Sequence, residues 1–569
     1  MKTKLGARNL AALGVLGVAA CVGSSAEGPA GSASPAGSVS PGGGGAIGGT
    51  GAGSSASGGS APTCAQGASF APARLSLISD DQYRNIVHDV FGVTFPASVN
   101  VTTLPSTSGS YPYNENAQVQ TTTVQAYRRA ADQVAALMTS MPPCATGAVN
   151  ATCLETYLRS TLPRAWRRPV SDTEIAGLIS IFNGGAPDGP SRQIQLTMDA
   201  ALLHPAFLYR SEIGTNAAAA TGKVQLTPYE LASAVSFPLL NSVPDAELWA
   251  KAQDGSLTQP QVLAAEVNRL MALPAVRANL MKKVSYYLDF ETLPFVKKDA
   301  TAYPEFAALR PILYQSAQMF LSDIIWAGKF SDLFTSQTIY ANQAMAAAYG
   351  LPPVTGTQLQ AVTPAGGTYS AGLLTQPALL AASNQNASGD DVIHRGLWIY
   401  YNLLGAPVLP PPPDNALSVA ATITGSTRQQ ALMRDTTCGS SCHGRFDPFG
   451  LVTLSYDGIG RYRTTDPTTT PPGGPIDDTA TVSAGVLLGE PPNPVSLKGV
   501  DDLAQILIKG RQVSDSAADT LATYMLEHSP DVEGSCALQT VKDSFQKSGS
   551  FADLFVSILT SPAFVTRDL

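Results

Sequence analysis

The sequence predicts a mainly α fold, in which a multi-helical body is followed by a loop-rich C-terminal module and preceded by a disordered tether. Helix-start signals recur through roughly the first two thirds of the chain, and apolar residues follow them at helical spacing. Gly, Ser, Ala and Pro dominate residues 22–63, which carry no aromatic residue. At 569 residues, the chain is long enough to bury large cores without help from disulfides.

The first 21 residues predict export and a lipid anchor. Three basic residues within residues 2–8 precede an apolar stretch, residues 10–20, that is about half as long as a membrane-spanning helix. The stretch ends in Val-Ala-Ala-Cys, a sequence typical of a bacterial lipobox, in which the thiol of Cys21 is lipidated before cleavage. An ordinary signal peptide with a spare cysteine is the alternative. Because Val22 lacks the carboxylate that often retains lipoproteins in the inner membrane, we expect the lipid to anchor the protein in the outer membrane.

Composition divides the remaining chain into five segments. Residues 22–66 are expected to form the tether, because Glu27 is the only charge in residues 22–63 and a core cannot be built from such a composition. We expect helical N-terminal blocks at 70–215, a helical central domain at 216–352, a loop-rich module at 366–470 and a helical C-terminal domain at 471–569.

Local signals place individual helices and strands. Capping boxes, in which Ser or Thr is followed three residues later by Glu or Gln, occur at residues 79–82, 171–174 and 227–230. Helical spacing continues through residues 262–349, and breaks are expected near Pro274, Pro294, Pro304 and Pro311. A short strand is expected near residues 358–362.

Charge and motif content exclude several classes of function. Lys and Arg total 35 against 43 Asp and Glu, which gives a formal net charge of −8. Binding to a phosphate backbone needs the opposite balance, so we expect no nucleic-acid partner. The sequence contains no HExxH, Walker, GxSxG or GxGxxG motif in a suitable context, and its patterns assign no enzymatic reaction.

Cysteine spacing suggests disulfides in an exported chain. Cys144 and Cys153 are close enough in sequence to close a short loop. Cys64 and Cys536 are left to pair by elimination, although sequence alone does not fix connectivity.

The remaining two cysteines suggest a cofactor. Residues 438–443 read Cys-Gly-Ser-Ser-Cys-His, and two cysteines followed directly by histidine are the attachment signature of a c-type haem. Cys438 and Cys442 would form the thioethers, and His443 would bind the iron. Three residues separate the cysteines where two are usual, so a disulfide or a degenerate site that takes no haem is the alternative.

Five blocks of the chain, in order, resemble a multidomain family first described from planctomycetes. They are residues 74–93, 162–182, 204–257 (with HPAFLYRSE), 372–413 (with HRGLWIYYNLLGAPVLPPPP) and 438–463 (CGSSCHGRFDPFGLVTLSYDGIGRYR). The family is composed of consecutive domains of unknown function, and the last two blocks are similar to its planctomycete cytochrome C domain, type three. The resemblance implies an exported, mostly helical protein with a cytochrome c-like module at 366–470, but no firmly assigned reaction.

The resemblance also bears on the distal iron ligand. The family commonly has methionine where this chain has Phe446. If that methionine is the distal ligand elsewhere, this chain would need another donor, for which Met525, Met433 and His528 are candidates; otherwise the iron would be five-coordinate. A helix-packing role is the alternative for Met525.

Two functions remain open from the sequence. The first is a lipid-anchored redox carrier that exchanges electrons with an unidentified partner outside the cytoplasm. The second is a cell-surface binding or assembly protein whose cytochrome-like site is vestigial, with Cys438 and Cys442 joined to each other.

Other polar residues have simpler interpretations. His88, His204 and His394 are expected at helix surfaces or caps. Arg164, Arg167 and Arg168 are expected to form ion pairs on a helix surface or between domains, and the adjacent Asp477 and Asp478 to face water rather than calcium.

Overall fold

The computed structural model describes most of the chain after the predicted tether. The described residues are 69–94, 121–138, 150–215, 222–406, 425–437, 443–487, 494–529 and 536–569, with the backbone alone at 435–437. The predicted tether and five of the seven cysteines, Cys21, Cys64, Cys144, Cys438 and Cys442, lie outside them.

Helices dominate the described residues, which confirms the predicted mainly α fold. The first of two hydrophobic cores collects apolar residues between Leu77 and Phe207, together with Phe237 and Val243. Its helices are α1 (Asp80–Phe91), α2 (Thr121–Met138), α3 (Ala151–Ala165), α4 (Asp172–Gly184), α5 (Pro190–Leu203) and α6 (Pro205–Leu208).

The second core is larger and collects Phe70 together with apolar residues between Leu226 and Phe564. Its helices are α7 (Pro228–Leu240), α8 (Ala246–Gln253), α9 (Pro260–Met271), α10 (Pro274–Tyr287), α11 (Phe306–Ala327), α12 (Asp332–Thr335), α13 (Gln343–Tyr349), α14 (Pro377–Ala382), α15 (Val392–Trp398), α16 (Thr427–Thr437), α17 (His443–Leu451), α18 (Gly499–Lys509), α19 (Gln512–Leu526), α20 (Gln539–Ser548) and α21 (Phe551–Thr560). A π-helical turn, Ile399–Leu403, continues α15. Residues from the predicted central domain, loop-rich module and C-terminal domain therefore pack around the same core.

The three predicted capping boxes are confirmed. Ser79, Ser171 and Thr227 each cap a helix and receive the reciprocal bond from the Gln or Glu three residues later. The expected break near Pro311 is wrong, because α11 runs through it from Phe306 to Ala327. Proline removes only one helical hydrogen bond, and the long apolar face of α11 remains buried on either side of it.

Short strands tie distant parts of the chain together as antiparallel pairs. The pairs are β1 (Arg74–Leu77) with β2 (Tyr209–Glu212), β3 (Lys223–Gln225) with β10 (Thr566–Asp568), β4 (Ile339–Ala341) with β5 (Gln360–Val362), β6 (Thr465–Asp466) with β7 (Gly474–Pro475), and β8 (Thr479–Val482) with β9 (Val495–Lys498). The strand expected near residues 358–362 is confirmed as β5. The segment 471–569 contains β7 and the β8–β9 pair before its helices start.

A buried ion-pair cluster joins the two cores. Glu212 of β2 accepts hydrogen bonds from Arg74 over 3.1 Å and from Arg567 of β10 over 2.7 Å. Glu527, directly after α19, accepts from Arg210 over 2.5 Å and from Gln82 over 2.7 Å. Burial alone would raise the pKa of Glu212, but Arg567, Arg74 and Arg210 together hold it well below its usual range.

Within the described residues, no helix has the length and apolar character needed to cross a bilayer.

Replacing Arg567 tests this junction. Arg567→Ala would leave Glu212 charged, buried and short of its closest partner, so we expect the free energy of unfolding to fall by about 3–5 kcal/mol. Urea denaturation measures it. Lys223→Ala is the control, because it removes a partly exposed ion pair with Asp568 on the same strand pair and should cost less than about 1 kcal/mol. Equal losses for the two variants would contradict a dominant role for the buried cluster.

A carboxyl pair in the first core predicts a pH dependence of stability. Burial and a hydrogen bond with Asp132 of α2 raise the pKa of Asp199 on α5 to about 7, while Arg192 and Arg128 oppose the shift. Between about pH 4 and about pH 7 the unfolded chain loses this proton and the folded chain keeps it, so stability should fall as pH rises and then level off.

Asp199→Asn should remove that slope and stabilise the protein at pH 8 by about 1–2 kcal/mol. Urea denaturation at pH 4.5, 6 and 8 measures the effect, and the exposed Asp188→Asn provides the control. If the free energy of unfolding of the wild-type protein rose between about pH 4 and about pH 7, and Asp199→Asn removed that rise, the raised pKa of Asp199 would be contradicted.

Candidate functional site

His443 begins α17 directly after the two cysteines of the predicted haem motif. Cys438 and Cys442 lie outside the described residues, in the five-residue connection between the end of α16 at Thr437 and the start of α17. The described part of the site is His443 and the three helices around it, α15, α16 and α17.

A buried carboxylate holds the His443 ring. Asp447 lies one helical turn later on α17, and its Oδ1 accepts a hydrogen bond from His443 Nδ1 over 3.3 Å. Arg434 of α16 donates to Oδ2 from Nε over 3.2 Å, and its Nη2 lies 3.2 Å from the same oxygen. Asp447 is fully buried and the His443 side chain is 3% exposed. An ionised carboxylate can only accept, so this contact is satisfied when Nδ1 donates, which leaves Nε2 as the ring nitrogen available to a metal.

The chemistry of these residues fits a haem ligand. A metal-binding histidine commonly donates its second ring N–H to a carboxylate, which is the arrangement of His443 and Asp447. A porphyrin could reach Nε2 only where protein atoms that cover the ring gave way, since the side chain is almost fully buried. Among the described residues, no group of three or more His, Cys, Asp or Glu side chains could hold a metal ion.

An aromatic side chain packs beside the imidazole. The ring centroids of Phe446 and His443 are 5.1 Å apart, and Tyr400 of the π-helical turn lies 6.4 Å from Phe446 on a second side. Phe446 is buried. At the position where the family commonly has methionine, this chain therefore supplies apolar packing and no donor atom for iron.

Two glycines set the distance between α15 and α17. A Cβ on Gly396 would overlap the carbonyl oxygen of Phe446, and a Cβ on Gly450 would overlap that of Val392. Any larger residue would push the helices apart. The glycines therefore allow α15 to support the His443 helix at close range.

The guanidinium of Arg395 fastens α15 to the segments that follow α17. It is buried and donates to the carbonyl oxygens of Leu380 over 3.0 Å, Tyr456 over 2.8 Å and Asp457 over 2.5 Å. Burial lowers the pKa of Arg395, and three nearby aspartates oppose that shift. One cation thus ties together α14, α15 and the loop after α17.

Residues 457–461 (DGIGR), within the last of the five blocks that resemble the family, have a structural role. Asp457 accepts hydrogen bonds from the backbone N–H groups of Ile459 and Arg461, and Arg461 Nε returns to its other oxygen over 2.7 Å. Tyr349 donates to the Ile459 carbonyl over 2.8 Å, and Arg461 pairs with Glu305. The loop is therefore anchored to residues before α11 and at the end of α13.

The three candidate distal ligands lie in different places. Met525 is 2% exposed, near the end of α19 where Leu526 accepts a bond from Arg74 and Tyr524 from Lys283 of α10. His528 follows Glu527 in the junction cluster. Met433 is 42% exposed and immediately precedes Arg434 on α16. Met525 and His528 lie at the junction between the cores. Nothing tests a distal-ligand role for Met525, which stays a prediction.

The other histidines agree with their simple interpretations. His88 pairs with Asp89 on the surface of α1, and the Nδ1 of His204 caps α6 by accepting from the N–H of Ala206. His394, in the first turn of α15, pairs with Asp391 over 2.7 Å.

The expectation that Arg164, Arg167 and Arg168 form ion pairs needs a correction at Arg167. Arg168 pairs with Glu174 as expected, but Arg167 is buried and donates to the backbone carbonyls of Ala165, Ala206, Phe207 and Tyr209. Its φ of 56° turns the side chain inward.

The aspartates at 477–478 also face protein groups. Asp477 pairs with Arg428 over 2.9 Å, and Asp478 accepts from Ser455 over 2.8 Å. Both carboxylates therefore have protein partners instead of water alone.

The described residues include only one cysteine of each predicted disulfide. Cys153 and Cys536 lie among the described residues, and neither is without a partner group. Because Cys64 and Cys144 lie outside the described residues, both pairings, Cys144–Cys153 and Cys64–Cys536, stay predictions.

Sequence reasoning named His443 but assigned no role to Asp447, Arg434 or Arg395. The spacing of Asp447, four residues after His443, was a usable signal once α17 was recognised as a helix. Arg434 and Arg395 had no such signal, because their partners lie on other elements.

Three family models match the chain in succession. They are PSD5, a protein of unknown function (DUF1595), at residues 153–212; PSD4, a protein of unknown function (DUF1592), at 226–351; and PSCyt3, a protein of unknown function (DUF1588), at 370–466. No curated protein and no solved structure matches the chain. PSCyt3 covers His443, Asp447, Arg434 and Arg395, and it corresponds to the cytochrome-like domain that the sequence resembles. In this tandem order, the three domains match the arrangement of the planctomycete-type multidomain proteins of unknown function that the sequence resembles.

Proposed function

We propose that the protein is a lipid-anchored, exported redox carrier whose segment 438–443 holds one covalent haem c. Cys438 and Cys442 would form the thioether links, and Nε2 of His443 would bind the iron. The bound haem would supply one-electron chemistry. The helical body would present the module to an unidentified redox partner outside the cytoplasm.

One observation carries this proposal. The Nδ1 of His443 is committed to Asp447, and Asp447 is in turn held by Arg434, so the ring has one nitrogen oriented by the protein and one left to bind a metal. This arrangement lies directly after Cys442 in sequence. The match to PSCyt3 over residues 370–466 supports the same interpretation.

A haem-free binding or assembly protein is the second candidate. The burial of His443, whose side chain is 3% exposed and packs against Phe446, favours it. In that case Cys438 and Cys442 would form a disulfide, and His443 would serve only to hold Asp447, which pairs with Arg434 and so joins α17 to α16.

Haem attachment separates the two candidates. Full-length protein from a host that matures c-type haem should show a Soret band that survives acid-acetone extraction and a mass increased by one haem. His443→Ala should change that spectrum, because it removes the iron ligand. His394→Ala is a matched control, since His394 also pairs with an aspartate through Nδ1 but lies outside the motif. Protein without added haem mass, in which Cys438 and Cys442 are joined, would establish the second candidate.

Lipidation is tested at the predicted modification site. Cys21→Ser removes the acceptor thiol, so we expect the lipid mass to disappear and the protein to leave the membrane fraction. Val22→Asp keeps the thiol and should stay membrane-bound, and its distribution between inner and outer membrane tests the predicted location. A Cys21→Ser variant that remains in washed membranes would contradict the lipid anchor.

A further inference from the structure

Asp447 uses its two oxygens for two different partners. Oδ1 faces Nδ1 of His443, and Oδ2 faces the guanidinium of Arg434. The carboxylate is completely buried, whereas Arg434 keeps 18% of its side chain exposed. A buried anion is therefore placed between an imidazole and a cation that partly reaches solvent.

The ion pair also brackets the cysteine segment. Arg434 lies four residues before Cys438, and Asp447 lies five residues after Cys442. By joining α16 to α17, the pair fixes the two ends between which the segment with one extra residue must fit.

We propose that Asp447 is a positioning residue that orients His443 and lowers the reduction potential of the haem, and that Arg434 moderates this effect. The inference rests on the proposed function. A carboxylate facing Nδ1–H makes the imidazole a more basic ligand, and its negative charge in a poorly solvated site favours the more positive Fe(III) state. The positive charge of Arg434 partly offsets that charge.

The two residues therefore predict opposite changes. Asp447→Asn keeps the shape and removes the negative charge, so the midpoint potential should rise. Arg434→Gln leaves the carboxylate without its cation, so the potential should fall. We expect each substitution to change the ratio of oxidised to reduced protein at a fixed applied potential at least tenfold, which is about 59 mV for one electron.

The measurement is a spectroelectrochemical titration of the full-length, haem-loaded protein and of each variant. Arg434→Lys keeps the charge and should restore a nearly wild-type potential. Asp457→Asn is the matched control, because Asp457 is another buried, arginine-paired aspartate of the same module and contacts Arg461 rather than His443. If Asp447→Asn does not fold, Arg434→Gln and Arg434→Lys still test the inference.

Opposite shifts for Asp447→Asn and Arg434→Gln, with an unchanged Asp457→Asn, would support the inference. Haem-loaded variants with unchanged potentials, or with shifts in the same direction, would overturn it and leave haem attachment intact. Absence of haem from the wild-type protein would instead refute the proposed function, and this inference with it.

Discussion

The close approach of α15 and α17 is the constraint on which the candidate site depends. Gly396 and Gly450 allow the two backbones to meet, and the buried guanidinium of Arg395 donates to the carbonyl oxygens of Leu380 on α14 and of Tyr456 and Asp457 in the loop after α17. A buried cation that lacked these acceptors would be costly, so the segments that supply them must stay together. His443 is positioned at the start of a helix whose location is fixed in this way.

A second constraint operates at the other end of the molecule. The strands β1, β2 and β10 and the end of α19 meet at Glu212 and Glu527, where three arginines, one from each of the strands, pair with two buried carboxylates. The last described strand is thus part of the junction between the cores. Truncation at the C-terminus would therefore affect residues near the N-terminus of the folded body as well.

The site combines a family signature with features of its own. Cys438, Cys442, His443 and Asp447 fall on the motif of the family that the sequence resembles, whereas Phe446 departs from it. The carboxylate of Asp447 and the aromatic ring of Phe446 determine what the imidazole can do. An anionic partner makes an imidazole a stronger donor to iron, and an apolar neighbour limits the access of water.

Structural features that depend only on neighbouring residues could be predicted from the sequence. The three capping boxes predicted helix starts at Asp80, Asp172 and Pro228, and the contiguous segment 438–443 identified the histidine around which the candidate site is built. Such signals act over three or four residues, so they can be read locally. The failure at Pro311 shows the limit, because burial of the whole α11 face outweighed one lost hydrogen bond.

Only the tertiary structure decided which distant residues meet. Arg434 and Asp447 lie on different helices, and Glu212 and Arg567 are separated by 355 positions. The acceptors of Arg395 lie on α14 and in the loop after α17. The sequence does not distinguish a charged side chain that is hydrated from one that is paired with another group. The partner of a charged side chain depends on where folding buries it. The physical reason is the cost of leaving a charge unpaired in a poorly solvated interior, which no local pattern reveals.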